Sequence, residues 1–289
     1  MRTFEPVFRP PSEAESLILQ VTVGCSHNAC TFCAMYRNKR FFVRPLEEVL
    51  EEIEEAAGEW PSCPRVFLGD GDALAAPAPF LLAVLEALRR AFPALRRVSL
   101  YATPMNLLAK SPEELKALKE AGLDLFYLGL ESGSDEVLKR VGKGASSSEI
   151  VEAVRRGRGA GIKASVMVLL GLGGVEGSEE HIRASAGALN AIQPEYLSAL
   201  TWYPVAEAPL YRALRAGRFR MPGDGGILNE LELLIRLLDL RDTVFRANHA
   251  SNPLPIGGRL SRDRERLLDA VAAARRGDLP LRPHFLRGT

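Results

Sequence analysis

Cysteine is scarce in this chain, with four in 289 residues. That is too few for a secreted disulfide framework. Long apolar runs are missing as well: nothing approaches the ~18 uninterrupted apolar residues of a membrane span. The most apolar stretch, "ALAAPAPFLLAVLEALRR", is broken by Pro77 and Pro79. Neither sign of charge predominates, since 37 basic residues stand against 36 acidic ones for a net charge of +1. This balance gives no reason to expect a dedicated nucleic-acid or membrane surface. The opening "MRTFEPVFRPPSEAES" has no apolar core of the kind a secretory signal carries, so a cytoplasmic location is expected. No internal repeat or low-complexity tract is visible.

What remains is an ordinary globular composition, 47% apolar and 25% charged, with a repeating rhythm. Short apolar or β-branched runs at 16–24, 65–69, 97–103, 124–131, 163–171 and 195–202 read as strands. Amphipathic segments between them read as helices. In "SPEELKALKEAG", Ser111 is the expected N-cap, Pro112 occupies N1, Glu114 completes a capping box and Gly122 ends the helix. Several strands are continuous apolar runs, as strands buried on both faces of a parallel sheet should be. The expected fold class is therefore α/β, a barrel or an open doubly wound sheet with mostly parallel strands and a helical and loop C-terminal extension. Residues 1–205 form the expected core. Residues 206–289 form an extension packed on it and helping to close a substrate cavity, within one integrated domain.

In such folds chemistry collects at the carboxyl ends of the strands, and the polar and glycine-rich oddities fall there. The loop "GCSHNACTFC" follows the first strand, "GDGDAL" (69–74) the second and "ATPMN" (102–106) the third. "ESGS" follows the fourth, "GLGG" the fifth and "YPV" the sixth. Three of the four cysteines lie in the first of these loops, spaced C-x4-C-x2-C at Cys25, Cys30 and Cys33. Three readings are open. Zinc would use the triad with His27. A fully ligated ferredoxin-type cluster would add Cys63, but Cys63 precedes the second strand and the triad follows the first, so roughly 17 Å of strand separates them. A cubane cluster on three cysteines would leave one iron open for chemistry.

Taken together, the cysteine loop, "GDGDAL", "YLGLESGSDEVLKRVGKG" (127–144) and "VMVLLGLGG" resemble the radical S-adenosylmethionine (SAM) superfamily over roughly residues 16–205, which implies a partial (β/α)6 TIM-like barrel. The superfamily's commonest spacing is C-x3-C-x2-C, and a C-x4-C-x2-C form occurs in the catalytic subunit of elongator. The resemblance implies that Cys25, Cys30 and Cys33 bind a [4Fe–4S] cluster whose fourth iron is chelated by SAM. It puts Phe32 beside the adenine, and Gly71 and Asp72 at the ligand's amino group. Asp70 stands where the superfamily has another glycine. Glu131 and Ser132 fall at the ribose, and Lys143 at the methionyl carboxylate. Val168, Leu170, Gly171 and Gly173 flank the adenine.

The implied activity is reductive cleavage of SAM to a 5′-deoxyadenosyl radical, which abstracts hydrogen from a small-molecule substrate. A flavodoxin or ferredoxin type of donor supplies the electron. No further cysteine cluster, cobalamin-binding module or RNA-binding module is evident. Tyr36, His249 and Asn252 are candidates for catalysis at the substrate. The competing readings are an iron–sulfur electron-transfer protein, a zinc-stabilised α/β binding module, and an enzyme that cleaves a different C–S bond of the same ligand. Substrate, oligomeric state and the fate of SAM are not readable from the residues.

Overall fold

The computed structural model describes residues 2–288. In chain order its first elements are β1 (Leu17–Gln20), β2 (Thr22–Val23), β3 (Phe42–Val43), α1 (Leu46–Glu59), β4 (Arg65–Gly69) and α2 (Ala78–Ala91). Next come β5 (Arg97–Tyr101), α3 (Pro104–Ala109), α4 (Pro112–Ala121), β6 (Leu123–Glu131), α5 (Asp135–Arg140), α6 (Ser147–Gly159) and β7 (Lys163–Leu170). The chain continues through α7 (Ser178–Ile192), β8 (Tyr196–Thr201), α8 (Pro209–Arg215), α9 (Asp224–Leu237), β9 (Val244–Ala247), β10 (Ile256–Arg259) and α10 (Leu260–Arg276). These elements gather into two compact units. The first holds the residues up to Asn28, Met35–Leu128 and Glu152–Ala164. The second holds Ala29–Ala34, Gly129–Val151 and the chain from Ser165 on.

In the first unit β1, β4, β5 and β6 pair in parallel in that order. Gln20 and Gly69, the carboxyl-terminal residues of β1 and β4, lie opposite one another. Val66, Phe67 and Leu68 on β4 are fully buried, as a strand covered on both faces requires. Helices α1, α2 and α4 pack side by side, and α1 also meets β1. The capping box of α4 forms as its residues dictate: Ser111 Oγ accepts from Glu114 N, and Glu114 Oε2 accepts from Ser111 N. Gly122 ends the helix at φ 113°, where a side chain would be strained.

In the second unit β7, β8 and β9 pair in parallel, and β10 closes antiparallel on β9. Helix α7 packs on α9, and α9 on α10. An apolar cluster of Val137, Val141, Leu172, Trp202, Leu210 and Phe219 lies within this unit. The α/β class, the mostly parallel pairing and the helical C-terminal portion agree with the sequence expectation.

Three local expectations differ. The strand expected over 16–24 breaks at Val21, and its end turns away to pair antiparallel with β3. The polar stretches after β5 and β6 wind into α3 and α5, each too short to show periodicity; Thr103 caps α3, accepting from Asn106 N. The C-terminal extension, expected as helix and loop, also holds strands β9 and β10, four residues each, with β9 pairing on β8 and β10 on β9.

One glycine tests the packing in the first unit. Alanine for glycine inside a helix ordinarily stabilises by ~0.5–1 kcal/mol. A Cβ on Gly157 of α6 would sit 2.6 Å from the Phe126 ring and 3.3 Å from Leu107. Gly157→Ala is therefore expected to reduce the unfolding free energy by about 1–3 kcal/mol, measured by urea denaturation. A neutral or stabilising result would contradict this contact.

Candidate active site

Two carboxylates at the carboxyl end of β4 hold the start of the cysteine loop, and all of these residues belong to the first unit. Gly24, at φ 76°, donates its N–H to Asp70 Oδ2 at 3.0 Å, and its carbonyl accepts from Gly71 N at 3.0 Å. Asp70 Oδ2 also pairs with Lys39 Nζ at 2.8 Å. Ser26 Oγ donates to Asp72 Oδ2. The same oxygen receives Thr103 Oγ1 at 3.0 Å and Asn106 Nδ2 at 2.5 Å, while Oδ1 receives Thr103 N at 3.2 Å. Burial pushes the Asp72 pKa up against these donors. Cys25 is half-buried between the two tethers. A Cβ on Gly71 would meet the Tyr36 ring at 2.4 Å and Cys25 Cβ at 3.0 Å, so glycine is needed there for the backbone to approach.

The rest of the loop is anchored within the second unit. Thr31 N donates to Val141 O at 2.8 Å and Leu210 N to Thr31 O at 2.8 Å. Trp202 Nε1 donates to Phe32 O at 3.1 Å. Cys33 N donates to Cys30 O at 3.3 Å, and both residues are half-buried. Among the described residues no His, Cys, Asp and Glu side chains stand preset as a three-ligand metal group. The donor set fits an iron–sulfur cluster through its chemistry: three half-buried cysteines, whose thiolates are soft ligands for iron.

Glu131 ends β6 at φ 61°, a left-handed conformation uncommon outside glycine. Its Oε1 pairs with Lys143 Nζ at 3.0 Å, and both side chains are nearly buried. A Cβ on Gly129 would lie 1.7 Å from that oxygen, so this glycine makes the room for the pair. Glu131 and Lys143, which the resemblance assigns to the ribose and to the methionyl carboxylate, thus meet each other.

Burial corrects several other expectations. Ser132 is fully buried; its hydroxyl donates to His181 Nδ1 at 2.7 Å and accepts from Ser134 N at 3.0 Å, which leaves no surface for ribose. Val168 and Leu170 are 0% and 1% exposed and are core. Gly171 and Gly173 accommodate the second unit's own packing, against Ile227 and Met221 and against Gly177 and His181 respectively. Asn252, a catalytic candidate, is buried and engaged with Thr201 N, Thr201 Oγ1 and Ala199 O at 2.6, 2.9 and 2.7 Å. Tyr36, the second catalytic candidate, is buried with its ring edge-on to Phe8, where it supports Gly71. Asp70 and Asp72 are fully buried and position the loop instead of facing a ligand. His249 is half-buried, with Nδ1 at 2.9 Å from Ser251 Oγ. Phe32 is half-buried against the apolar cluster.

Sequence reasoning missed Ser26, Thr103 and Asn106 as partners of Asp72. The signal was present, since "ATPMN" was already marked as a polar loop after a strand. It also missed two buried ionisable groups of the second unit. Glu230 on α9 accepts from Gly171 N at 2.6 Å and Ser178 Oγ at 2.5 Å, and burial pushes its pKa up to about 7. His181 Nε2 donates to Leu169 O at 3.1 Å, and burial pushes its pKa down to about 4.

These two groups act in opposite directions on stability. Between pH 4.5 and about 7 folded Glu230 keeps a proton that the unfolded chain releases, so its contribution falls as pH rises. Folded His181 is neutral where the unfolded chain takes a proton, so its contribution is whole above pH 6.5 and is lost as pH falls towards 4. Glu230→Gln removes the first effect. Its unfolding free energy is expected to climb more steeply with pH than the wild type's across this window, by urea denaturation at each pH. Parallel curves would refute the role given to Glu230.

The family model of the radical SAM superfamily matches residues 19–185. The heme chaperone HemW of Bacillus subtilis (strain 168) is 24% identical over 206 residues, which cover 68% of this chain and 53% of HemW. Among solved structures, the coproporphyrinogen III oxidase HemN of Escherichia coli, a radical SAM enzyme, aligns with a TM-score of 0.59 at 16% identity. The alignment covers 76% of this chain and 51% of HemN. Methylornithine synthase (PylB) aligns with a TM-score of 0.56 at 17% identity, over 89% of this chain and 68% of its own. At such identities these structures show the shared α/β partial-barrel fold. The chain spans about half the length, or less, of the curated relatives it matches.

Proposed function

The chain belongs to the radical SAM superfamily, enzymes that use a [4Fe–4S] cluster and SAM, and on that premise we propose that Cys25, Cys30 and Cys33 hold the cluster for hydrogen abstraction from a small-molecule substrate. The observation that carries this reading is the tethering of the cysteine loop to Asp70 and Asp72, which places Cys25 at the carboxyl end of β1 and β4. When bound and reduced, the cluster with SAM supplies a 5′-deoxyadenosyl radical.

The remaining work falls to this chain's own groups. Gly71 brings backbone polar groups close to Cys25 and leaves the space that a side chain would fill. Asp72 fixes Ser26 and Asn106, which are at least partly exposed and present a hydroxyl and an amide to polar groups of a ligand. The Glu131–Lys143 pair holds an ammonium in a nearly dry position, where a carboxylate is bound more strongly than in water. Phe32 offers an apolar face on a backbone held by Trp202. A low-potential electron donor is the expected partner. A heme chaperone, an oxidase and a synthase among the similar proteins point to no common substrate.

The fully ligated cluster is disfavoured by geometry within the first unit. Cys63 is fully buried before β4, with its thiol against Arg65 O at 3.2 Å, while Cys25 follows the other end of the parallel β1–β4 pair.

Anaerobic reconstitution followed by SAM and dithionite is expected to yield 5′-deoxyadenosine, measured by chromatography and mass. Cys30→Ala should abolish it, and Cys63→Ala should keep the visible absorbance of the cluster. Bound zinc in place of iron, or loss of the cluster in Cys63→Ala, would refute the reading.

A further inference from the structure

Three lysines of this chain have nearly buried side chains, and two are explained by a carboxylate. Lys39 pairs with Asp70 at 2.8 Å and Lys143 with Glu131 at 3.0 Å. Lys110 differs. It follows α3 in the first unit and is 8% exposed, yet among the described residues no hydrogen bond or ion pair reaches its ammonium. Glu114 and Asp72 act on it through space, but burial outweighs them and lowers its pKa. Both carboxylates are already engaged, Glu114 with Ser111 N and Asp72 with Ser26, Thr103 and Asn106.

A desolvated ammonium without a contact partner is costly. The neighbouring helix-end Lys119 shows the ordinary alternative: it stays one-third exposed and pairs with Asp124 at 2.8 Å. The Lys110 nitrogen is also not among the fully enclosed polar atoms that lack a partner, so its stem is covered while its charge keeps an outlet. A compact cation with three donors and no internal acceptor is suited to an oxyanion supplied from outside.

We propose that Lys110 binds an anionic group, a carboxylate or phosphate, of a reactant held against the Ser26–Asp72–Asn106 cluster. This rests on the radical SAM reading for the identity of the reactant, and on this chain's own residues for the anion site. It adds a charge requirement to the substrate class, or a second contact to the methionyl carboxylate, and the test separates the two.

The reconstituted holoenzyme is treated briefly with methyl acetyl phosphate, an anionic acetylating reagent, and lysine acetylation is read by peptide mass spectrometry. Lys116, whose side chain is 71% exposed, is the internal reference. Inorganic phosphate, succinate or SAM is then added before the reagent. Lys110 acetylation is expected to fall several-fold under at least one of them, with Lys116 unchanged. Protection by SAM alone assigns the anion to the cofactor. Protection by phosphate or succinate with SAM already present assigns it to the substrate. No protection of Lys110 by any of the three overturns the proposal, whatever its labelling rate. Because labelling uses the unsubstituted protein, folding of a variant is not at issue. Formation of 5′-deoxyadenosine by the same preparation reports separately on the superfamily reading.

Discussion

The position of Cys25 depends on how the start of the cysteine loop is fixed within the first unit. The bonds that do this come from carboxylates and backbone. Asp70 receives Gly24 N, Asp72 receives Ser26 Oγ, and Gly71 between them donates its own N–H to Gly24 O. A buried carboxylate must be supplied with donors, and here the loop supplies one to each aspartate, beside Lys39 at Asp70 and Thr103 and Asn106 at Asp72. The contact therefore serves both partners: the aspartates fix the start of the loop, and the loop meets part of their need for donors.

Buried charge is handled by two different devices in the rest of the molecule. Where an opposite charge is at hand the group is paired, as with Arg44 and Glu52 at 2.8 Å or Lys143 and Glu131 at 3.0 Å. Where none is, burial favours the neutral form, as with His181 between Ser132 and the Leu169 carbonyl and with Glu230 between Gly171 and Ser178. Burial lowers the Lys110 pKa as well, but unlike these groups its ammonium has no hydrogen-bond or ion-pair partner among the described residues, and the role proposed for it rests on that difference. Superfamily membership identifies the cofactors and the radical chemistry, and the anion site proposed at Lys110 would add a contact to a charged reactant.

Much of the scaffold was legible because its signals are local. A strand of unbroken apolar residues such as Arg65–Gly69, a capping box at Ser111 and Glu114, and a terminating Gly122 need only neighbours in the chain. The cysteine spacing and the clustering of polar loops at strand ends are likewise sequence properties, and they sufficed to indicate the superfamily. Short elements were not legible. α3 and α5 have six residues each, too few for a periodic pattern, and β9 and β10 depend on partners elsewhere in the chain, β9 on the edge of β8 and β10 in turn on β9.

Composition and spacing thus determined on their own that this is an α/β protein with a trithiol loop at the carboxyl end of its first strand. Which polar residues face a ligand was decided only by tertiary structure. Asp72, Ser132 and Asn252 have the chemistry to bind substrate, but each is surrounded by donors or acceptors of its own chain and serves as a support. Lys110 has nothing distinctive in its sequence context, and folding leaves it with covered methylenes and an unpaired charge. The physical reason is that the function of a polar group depends on whether its hydrogen-bonding capacity is used internally, and its partners come from segments far apart in sequence.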